Sequence, residues 1–220
     1  MENKINKKAI KKEIIEWAFC FIIAYVIYLF INFFIGTVSS VKQVSMIPTA
    51  NEGEKVIIQR TIFNKKVLKY GDIITFSAPD VVANNTLKAN SIETLKDEKA
   101  IANYVKRNSF EDFIYDFMGI GKKSYIKRVI GLSGDHIVVK SDGLVYRNDI
   151  ALIEKYLNDG TTSQSGSYID VIVPDNTVFV MGDNRLQSMD SRSFGSIPMS
   201  KVEGYVIYRI WPFNKVGNLI

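Results

Sequence analysis

The chain has 220 residues, of which 47% are hydrophobic, and this is enough for one catalytic-sized domain with a packed core. Its single cysteine, Cys20, and its single histidine, His136, exclude a disulfide framework, a thiolate metal site and a His-rich metal centre. The formal charge of +5 is concentrated in residues 1–13, which contain five lysines and two glutamates. The remaining charge is weak and scattered, so we expect no nucleic-acid partner.

A long apolar segment follows this basic tail. Trp17 to Gly36 carries no charged residue over 20 positions, which at about 1.5 Å per residue matches the roughly 30 Å hydrocarbon core of a bilayer. We therefore predict a transmembrane helix over residues 14–36. The lysines of residues 1–13 predict a cytoplasmic N-terminus, with residues 37–220 outside the membrane. The alternative is a cleavable signal peptide with a small-residue site just after Gly36.

Beyond Gly36 the sequence changes to short alternating apolar runs separated by Gly, Asp, Asn and Pro. Alternation bounded by turn residues is typical of β-strands, so we predict a mainly β domain that is partly antiparallel. The predicted strands are Lys55–Ile58, Asp72–Phe76, Tyr125–Ile130, His136–Val139, Leu144–Tyr146, Thr177–Val180 and Gly204–Tyr208.

Residues 80–123 depart from the β pattern. They are rich in lysine, asparagine and glutamate, and then place five apolar residues between Phe110 and Met118 at the spacing i, i+3, i+4, i+7 and i+8. This spacing is typical of one face of a helix. We predict a partly helical insertion whose apolar face either packs on the β core or lies on the membrane surface.

Ser45, nine residues after Gly36, is a candidate nucleophile, and a serine hydroxyl needs a base to take its proton. The base is either His136, the only histidine, or a neutral lysine. Lys127 is the best lysine, because strand alternation places it on one face with Tyr125 while Arg128 points to the other face. Burial on that face would bring the lysine pKa from about 10.4 towards about 7–8.

The stretch from Gly182 to Arg192 is dense in hydrogen-bonding side chains and directly follows an apolar run. Such a loop often satisfies only its own backbone. Asp190 and Arg192 are also spaced to pair across a turn, and Ser188 can accept a hydrogen bond from a neutral lysine. The loop is therefore a candidate wall of the site.

Four segments, in this order behind an apolar helix, resemble the conserved boxes of bacterial type I signal peptidases, and the length and single anchor resemble the Gram-positive branch. Each box alone is weakly specific, whereas the ordered set is specific and covers nearly everything outside residues 80–123. The four segments are Ser45–Thr49, Tyr70–Phe76, Tyr125–Asp135 and Gly182–Arg192, the last continued to Gly195.

This resemblance implies a membrane-anchored serine endopeptidase with a Ser-Lys dyad. It would cut signal peptides from exported preproteins after small residues, in Ala-X-Ala fashion, at the outer face of the plasma membrane. The family fold is a coiled, largely antiparallel β-sheet, and its mechanism needs neither a metal nor a cofactor. By the resemblance Ser45 is the nucleophile and an oxyanion donor through its backbone N–H, Lys127 is the general base, and Ser188 orients that lysine. The supporting residues would be Asp183, Asp190 and Arg192.

The sequence departs from the family pattern at three positions. Gln43 occupies a position that is usually glycine or serine, and we hypothesise that its amide replaces the second oxyanion donor or narrows the cleft. Ser133 stands where proline is common, which affects turn rigidity. Leu186 stands where some relatives have aspartate, which changes the local charge network.

Three other functions fit parts of the sequence. Self-cleaving repressors share a Ser-Lys arrangement, but they are soluble and carry a DNA-binding module. A non-catalytic relative that assists pilus or surface-protein assembly would be expected to lose the serine or the lysine. A plain β-rich surface module explains the anchor but not the spaced boxes. The predicted partners are therefore signal peptides and the lipid bilayer, and the protein is expected to be monomeric.

Overall fold

The structure of the protein is a computed structural model that describes residues 7–34, 36–60, 67–79, 100–104, 123–157 and 169–219. One long helix, α1 (Lys7–Phe34), precedes a domain of strands. The predicted fold class, a mainly β and largely antiparallel domain behind an N-terminal helix, is confirmed.

Helix α1 is 28 residues long and exposes large apolar side chains along its length, including Ile14, Trp17 and Phe21. Among the residues that the structure describes, no helix combines the length and apolarity that a bilayer crossing requires. The membrane-spanning role of residues 14–36 stays a prediction.

Among the described residues, the strands form two antiparallel sheets, a seven-stranded sheet in the order β1-β2-β11-β3-β4-β9-β10 and a four-stranded sheet in the order β7-β6-β5-β8. The strand bounds are β1 Thr37–Ser40, β2 Lys55–Arg60, β3 Ile73–Ser77, β4 Ser124–Leu132, β5 His136–Val139, β6 Val145–Arg147, β7 Ile150–Ala151, β8 Ile169–Ile172, β9 Thr177–Met181, β10 Ile197–Pro198 and β11 Val202–Trp211.

The centre of the seven-stranded sheet is buried on both faces. All five residues of β3 and all five of β9 are buried, as expected for continuous apolar runs rather than alternating ones. Irregular register between β11 and its neighbours, and between β4 and β9 near Gly131, bends these strands and curls the sheet. The curl brings the loop after β9 towards the turn after β1.

Three apolar clusters hold this arrangement. One lies on the seven-stranded sheet around Phe76 and Val180, and a second joins the two sheets through Ile137 and Phe179. The third lies below the turn after β1 and contains Met46, together with Val41, Ala50, Val56, Ile73, Val206 and Leu219.

All seven predicted strands are present, with small shifts at their ends. Four further strands were not predicted: β1, β7, β8 and β10. β7 and β10 have only two residues each, too few for an alternating pattern, whereas length does not explain the miss of β1 and β8, which have four residues like the predicted β5.

Only residues 100–104 and 123 of the predicted insertion are described, and its predicted helix from Phe110 to Met118 lies outside the described residues. The short stretch 100–104 packs on the β core. Ser196 N–H donates to the Ala100 carbonyl at 2.6 Å, Ala102 N–H donates to the Ser196 carbonyl at 2.9 Å, and both alanines are buried. This part of the insertion is thus attached next to helix α2 (Ser191–Phe194).

Candidate active site

Ser45 lies on a short 3₁₀-helix, Val44–Met46, that follows β1. Met46 is fully buried in the third apolar cluster, and its carbonyl accepts a hydrogen bond from Ala50 N–H at 2.8 Å. Burial of Met46 fixes the turn, and Ser45 itself is only 4% exposed. The nucleophile candidate is therefore held by its own neighbours in sequence.

Lys127 lies in the middle of β4, opposite Ile74 of β3, and its side chain is buried. Its Nζ donates to Ser45 Oγ at 2.8 Å and to the Ile126 carbonyl at 3.0 Å. Nζ also lies 5.2 Å from the ring centroid of Tyr125, the residue that alternation places on the same face. The fold thus joins two candidates that are 82 positions apart in sequence.

Burial lowers the pKa of Lys127 to about 8. The negative charges of Asp190 and Asp183 act in the opposite direction, while the positive charge of Arg192 adds to the lowering. A lysine with an ordinary pKa near 10.4 is almost fully protonated at neutral pH. The lowered pKa leaves a substantial fraction of neutral amine, the form that can accept a proton.

Asp183 forms a buried ion pair with Arg128, the neighbour of Lys127 on β4. Arg128 Nε and Nη2 donate to the two carboxylate oxygens at 2.8 and 2.7 Å, and the two side chains are 4% and 0% exposed. Thr49 Oγ1 donates to the same carboxylate. The opposite face of β4 is thus fixed to the turn that carries Ser45 and to the loop after β9.

Asp190 is fully buried and pairs with Arg192, as its spacing indicated. Arg192 Nε and Nη2 each donate to an Asp190 carboxylate oxygen at 2.8 Å, and Gly182 N–H donates to Oδ2 at 3.0 Å. Burial alone would raise the pKa of Asp190, but the Arg192 charge and these hydrogen bonds outweigh it and lower the pKa. Asp190 also caps helix α2, so one carboxylate closes the loop on itself.

Ser188 lies against the same loop backbone. A Cβ atom placed on Gly182 would be 2.3 Å from Ser188 Oγ and 2.5 Å from the Ser45 carbonyl oxygen, which shows how closely the three residues pack. Ser188 Oγ lies near enough to Asp190 to help lower its pKa, yet it is buried without a partner at hydrogen-bond distance in the described chain. The expected hydrogen bond from Lys127 goes instead to the Ile126 carbonyl.

Gln43 directly precedes the 3₁₀-helix of Ser45 in an extended conformation, and its side chain does not cap that helix. His136, the rival base, lies on β5 in the four-stranded sheet. Its Nε2 is 2.7 Å from Asp170 Oδ1, whereas Ser45 Oγ is bonded to Lys127. In the part of the chain that the structure describes, no cluster of three or more His, Cys, Asp or Glu side chains is arranged to hold a metal ion.

Sequence reasoning did not assign a role to Asn184 or to Arg128. Asn184 N–H donates to the Ser45 carbonyl at 3.0 Å, and Asn184 Nδ2 donates to the Val44 carbonyl at 3.1 Å, so this residue fastens the serine turn. A sequence signal existed for Arg128, because an arginine that directly precedes the apolar strand residues Val129 and Ile130 needs a carboxylate partner when it is buried. The identity of that partner could not be read from alternation.

Taken together, the fold and this site define a β-rich protein with a buried serine–lysine pair, an arrangement that occurs among serine hydrolases. The family model described as "Signal peptidase, peptidase S26" matches residues 14–211, and the chain belongs to this family. Removal of signal peptides is the activity that this membership supports.

Named relatives agree with this membership. Signal peptidase IB of Staphylococcus aureus (strain COL) is 30% identical over 220 residues that cover 93% of each chain. A probable signal peptidase I-1 of Synechocystis is 28% identical over 90% of this chain and 82% of its own. A crystal structure of a signal peptidase I from Enterococcus faecalis V583 superposes with a TM-score of 0.39 at 25% identity, covering 64% of this chain and 97% of that one.

Proposed function

We propose that the protein is a membrane-anchored serine endopeptidase that removes N-terminal signal peptides from exported preproteins, with Ser45 as nucleophile and Lys127 as general base. The observation that carries this proposal is the 2.8 Å contact between Lys127 Nζ and Ser45 Oγ at a fully buried lysine. A buried amine in direct contact with a serine hydroxyl meets both requirements of a general base, reach and a suitable pKa.

In the acylation step, neutral Lys127 takes the hydroxyl proton as Ser45 Oγ attacks the scissile carbonyl carbon. The resulting ammonium then gives that proton to the departing amine of the mature protein, and the signal peptide remains as an ester on Ser45. In deacylation Lys127 takes a proton from water, which attacks the ester carbon, and returns it to Ser45 Oγ. No step requires a cofactor.

The carbonyl oxygen gains negative charge in both steps and needs fixed donors. We assign the Ser45 backbone N–H as one donor, and Gln43 is the candidate for the second because it immediately precedes the serine turn. In other serine proteases one such donor is worth roughly 10²–10³ in rate. If Gln43→Gly and Gln43→Ser both acylate at the wild-type rate, the donor role of Gln43 is wrong.

We assign the anchor to residues 14–36, with residues 1–13 cytoplasmic and the β domain outside the plasma membrane. The charge-free run and the basic tail support this topology. Ser45 follows the end of α1 by only eleven residues, which keeps the nucleophile near the surface where a signal helix emerges. Cleavage after small residues and a monomeric state belong to the same proposal.

The proposal is tested by incubating the full-length protein in detergent with a preprotein that has an Ala-X-Ala site, beside Ser45→Ala and Lys127→Ala. We expect cleavage after the final alanine by wild type only, with each variant reduced by at least about 10²-fold. Circular dichroism and thermal unfolding show whether the variants are folded. Inactivity of the wild-type protein would favour a non-catalytic role in surface-protein assembly. Cleavage by folded Lys127→Ala would show that Lys127 is not the general base.

A further inference from the structure

A second buried ion pair lies behind the loop after β9, and one of its members comes from outside the four family-like segments. Arg185 Nη2 and Nη1 donate to the Glu154 carboxylate at 2.5 and 2.9 Å, and the two side chains are 1% and 6% exposed. Burial alone would lower the pKa of Arg185, but Glu154 outweighs it and raises that pKa. Each member of this buried pair therefore depends on the other.

Tyr156 extends this pair to the strand of the candidate base. Its hydroxyl donates to Glu154 Oε1 at 2.5 Å, and its ring lies 4.0 Å from the guanidinium carbon of Arg128 and 6.0 Å from that of Arg185. An aromatic face between two guanidinium groups is favourable because the ring quadrupole attracts cations. Tyr156 thus contacts β4 next to Lys127 and the loop after β9 at once.

Arg185 connects the pair to the groups around Ser45 and Lys127. Its Nε donates to the Gly182 carbonyl at 3.0 Å, and its own carbonyl accepts from Arg192 Nη2 at 2.7 Å. The Gly182 N–H donates a hydrogen bond to the Asp190 carboxylate. Two residues further on, the Asn184 N–H donates to the Ser45 carbonyl. Arg185 therefore links Glu154 to both ends of the loop.

We infer that Glu154 and Tyr156 are positioning residues of the Ser45–Lys127 site. They fix Arg185 and Arg128, and these arginines hold the loop from Gly182 to Arg192 and strand β4 at the separation that brings Lys127 Nζ to Ser45 Oγ. This inference rests on the proposed function, because it concerns the geometry of that same site.

Loss of the Glu154 charge has a specific electrostatic consequence. A buried guanidinium that loses its carboxylate partner is stabilised by another nearby carboxylate. The negative charge of Asp190 already acts on Arg185. Asp190 is the ion-pair partner of Arg192. Asp190 and Asp183 raise the pKa of Lys127, whereas burial and the charge of Arg192 lower it. Drawing Asp190 towards Arg185 weakens its support of the lysine ammonium, so the pH at which Lys127 loses its proton falls.

The test compares Glu154→Gln and Tyr156→Phe with wild type for kcat, KM and the pH profile of kcat/KM on the Ala-X-Ala preprotein. Misplacement of a catalytic pair by about 1 Å costs on the order of 10²-fold. We expect kcat of Glu154→Gln to fall by about 10–100-fold with KM changed by less than about threefold, and its profile to shift to lower pH. Tyr156→Phe keeps the ring and loses only one hydrogen bond, so we expect a drop of about fivefold in kcat.

The matched control is Lys155→Gln, which removes an exposed charge between the two residues. It is expected to match wild type in all three quantities. The double variant Glu154→Gln/Arg185→Met removes the unpaired guanidinium as well, and it is expected to recover part of the kcat lost in Glu154→Gln. A purely structural role would lower the melting temperature without this recovery.

The inference is overturned if folded Glu154→Gln retains wild-type kcat and pH profile. If Glu154→Gln does not fold, Tyr156→Phe decides, and wild-type kcat in that variant overturns the inference. Ser45→Ala and Lys127→Ala are assayed in parallel. If they remain inactive while the Glu154 and Tyr156 variants behave as wild type, only this inference fails; if Lys127→Ala cuts, the proposed function fails.

Discussion

Two side-chain contacts of equal length, one at the seven-stranded sheet and one in the four-stranded sheet, differ in their exposure to solvent. In the seven-stranded sheet, Arg128 and Asp183 are 2.7 Å apart with side chains 4% and 0% exposed. In the four-stranded sheet, His136 and Asp170 are also 2.7 Å apart, but their side chains are 34% and 13% exposed. The shortest distances are equal, but the burial differs, and Arg128 donates two hydrogen bonds to Asp183 whereas His136 and Asp170 share one contact.

The difference shows which pairs the fold depends on. An exposed pair is solvated in either state and contributes about 0–1 kcal/mol, whereas a buried charge that loses its partner has no solvent to replace it. The buried Arg128–Asp183 and Asp190–Arg192 pairs lie beside Ser45 and Lys127, whereas the more exposed His136–Asp170 contact lies in the four-stranded sheet. Two buried ion pairs therefore help to fix the geometry of the candidate site.

The largest expected effect comes from breaking a buried pair. Asp183→Asn leaves Arg128 without a carboxylate at the back of β4, and we expect the free energy of unfolding to fall by about 3–5 kcal/mol. Chemical denaturation of the full-length protein measures this loss. A loss below about 1 kcal/mol would mean that this pair behaves like an exposed one.

The next effect compares a glycine beside the serine turn with a glycine of β4 that packs against the four-stranded sheet. In Gly182→Ala the new Cβ meets the Ser45 carbonyl oxygen, and the turn of the nucleophile must move. In Gly131→Ala it meets the end of the Ile137 side chain, which can adjust. We expect both to lose about 1–3 kcal/mol of stability, but only Gly182→Ala to lose activity as well, by about 10-fold or more. Equal activity of the two variants would contradict this distinction.

Ser188 offers a test that separates stability from activity. Ser188→Ala removes a buried hydroxyl that has no partner at hydrogen-bond distance among the described residues, so we expect the free energy of unfolding to change by less than about 1 kcal/mol. If Ser188 accepts a hydrogen bond from Lys127 during the reaction, kcat falls by about 10–100-fold, as expected for a bond to a charged group. If Ser188→Ala has the wild-type kcat, Ser188 does not orient Lys127.

The smallest effect is expected in the four-stranded sheet. Asp170→Asn breaks the contact with His136 at the surface, and we expect a stability change below about 1 kcal/mol and unchanged cleavage. His136→Gln is expected to cleave at the wild-type rate too. Loss of activity in His136→Gln with intact folding would restore histidine as the candidate base.

Local sequence patterns predicted the contacts of the site between residues that are close together in the sequence. Alternation on β4 placed Lys127 beside Tyr125, and two-residue spacing paired Asp190 with Arg192. The partners of Arg128 and Arg185 lie 55 and 31 positions away, and a periodic pattern specifies a face of a strand but not what packs against it. The sequence alone therefore gave no reason to assign a role in the site to Glu154 or Tyr156.

The proposed mechanism requires Lys127 to act on Ser45 as a buried amine whose lowered pKa makes its neutral form available near neutral pH. The most direct test is the pH dependence of kcat/KM for wild type on an Ala-X-Ala preprotein, measured from about pH 5.5 to about pH 10.5, where the free-enzyme base is seen. We expect the rate to rise with pH and to level off above a midpoint of about 8, the pKa of Lys127. A midpoint near 6.5, typical of histidine, or near 10.4, typical of a solvated lysine, would contradict it.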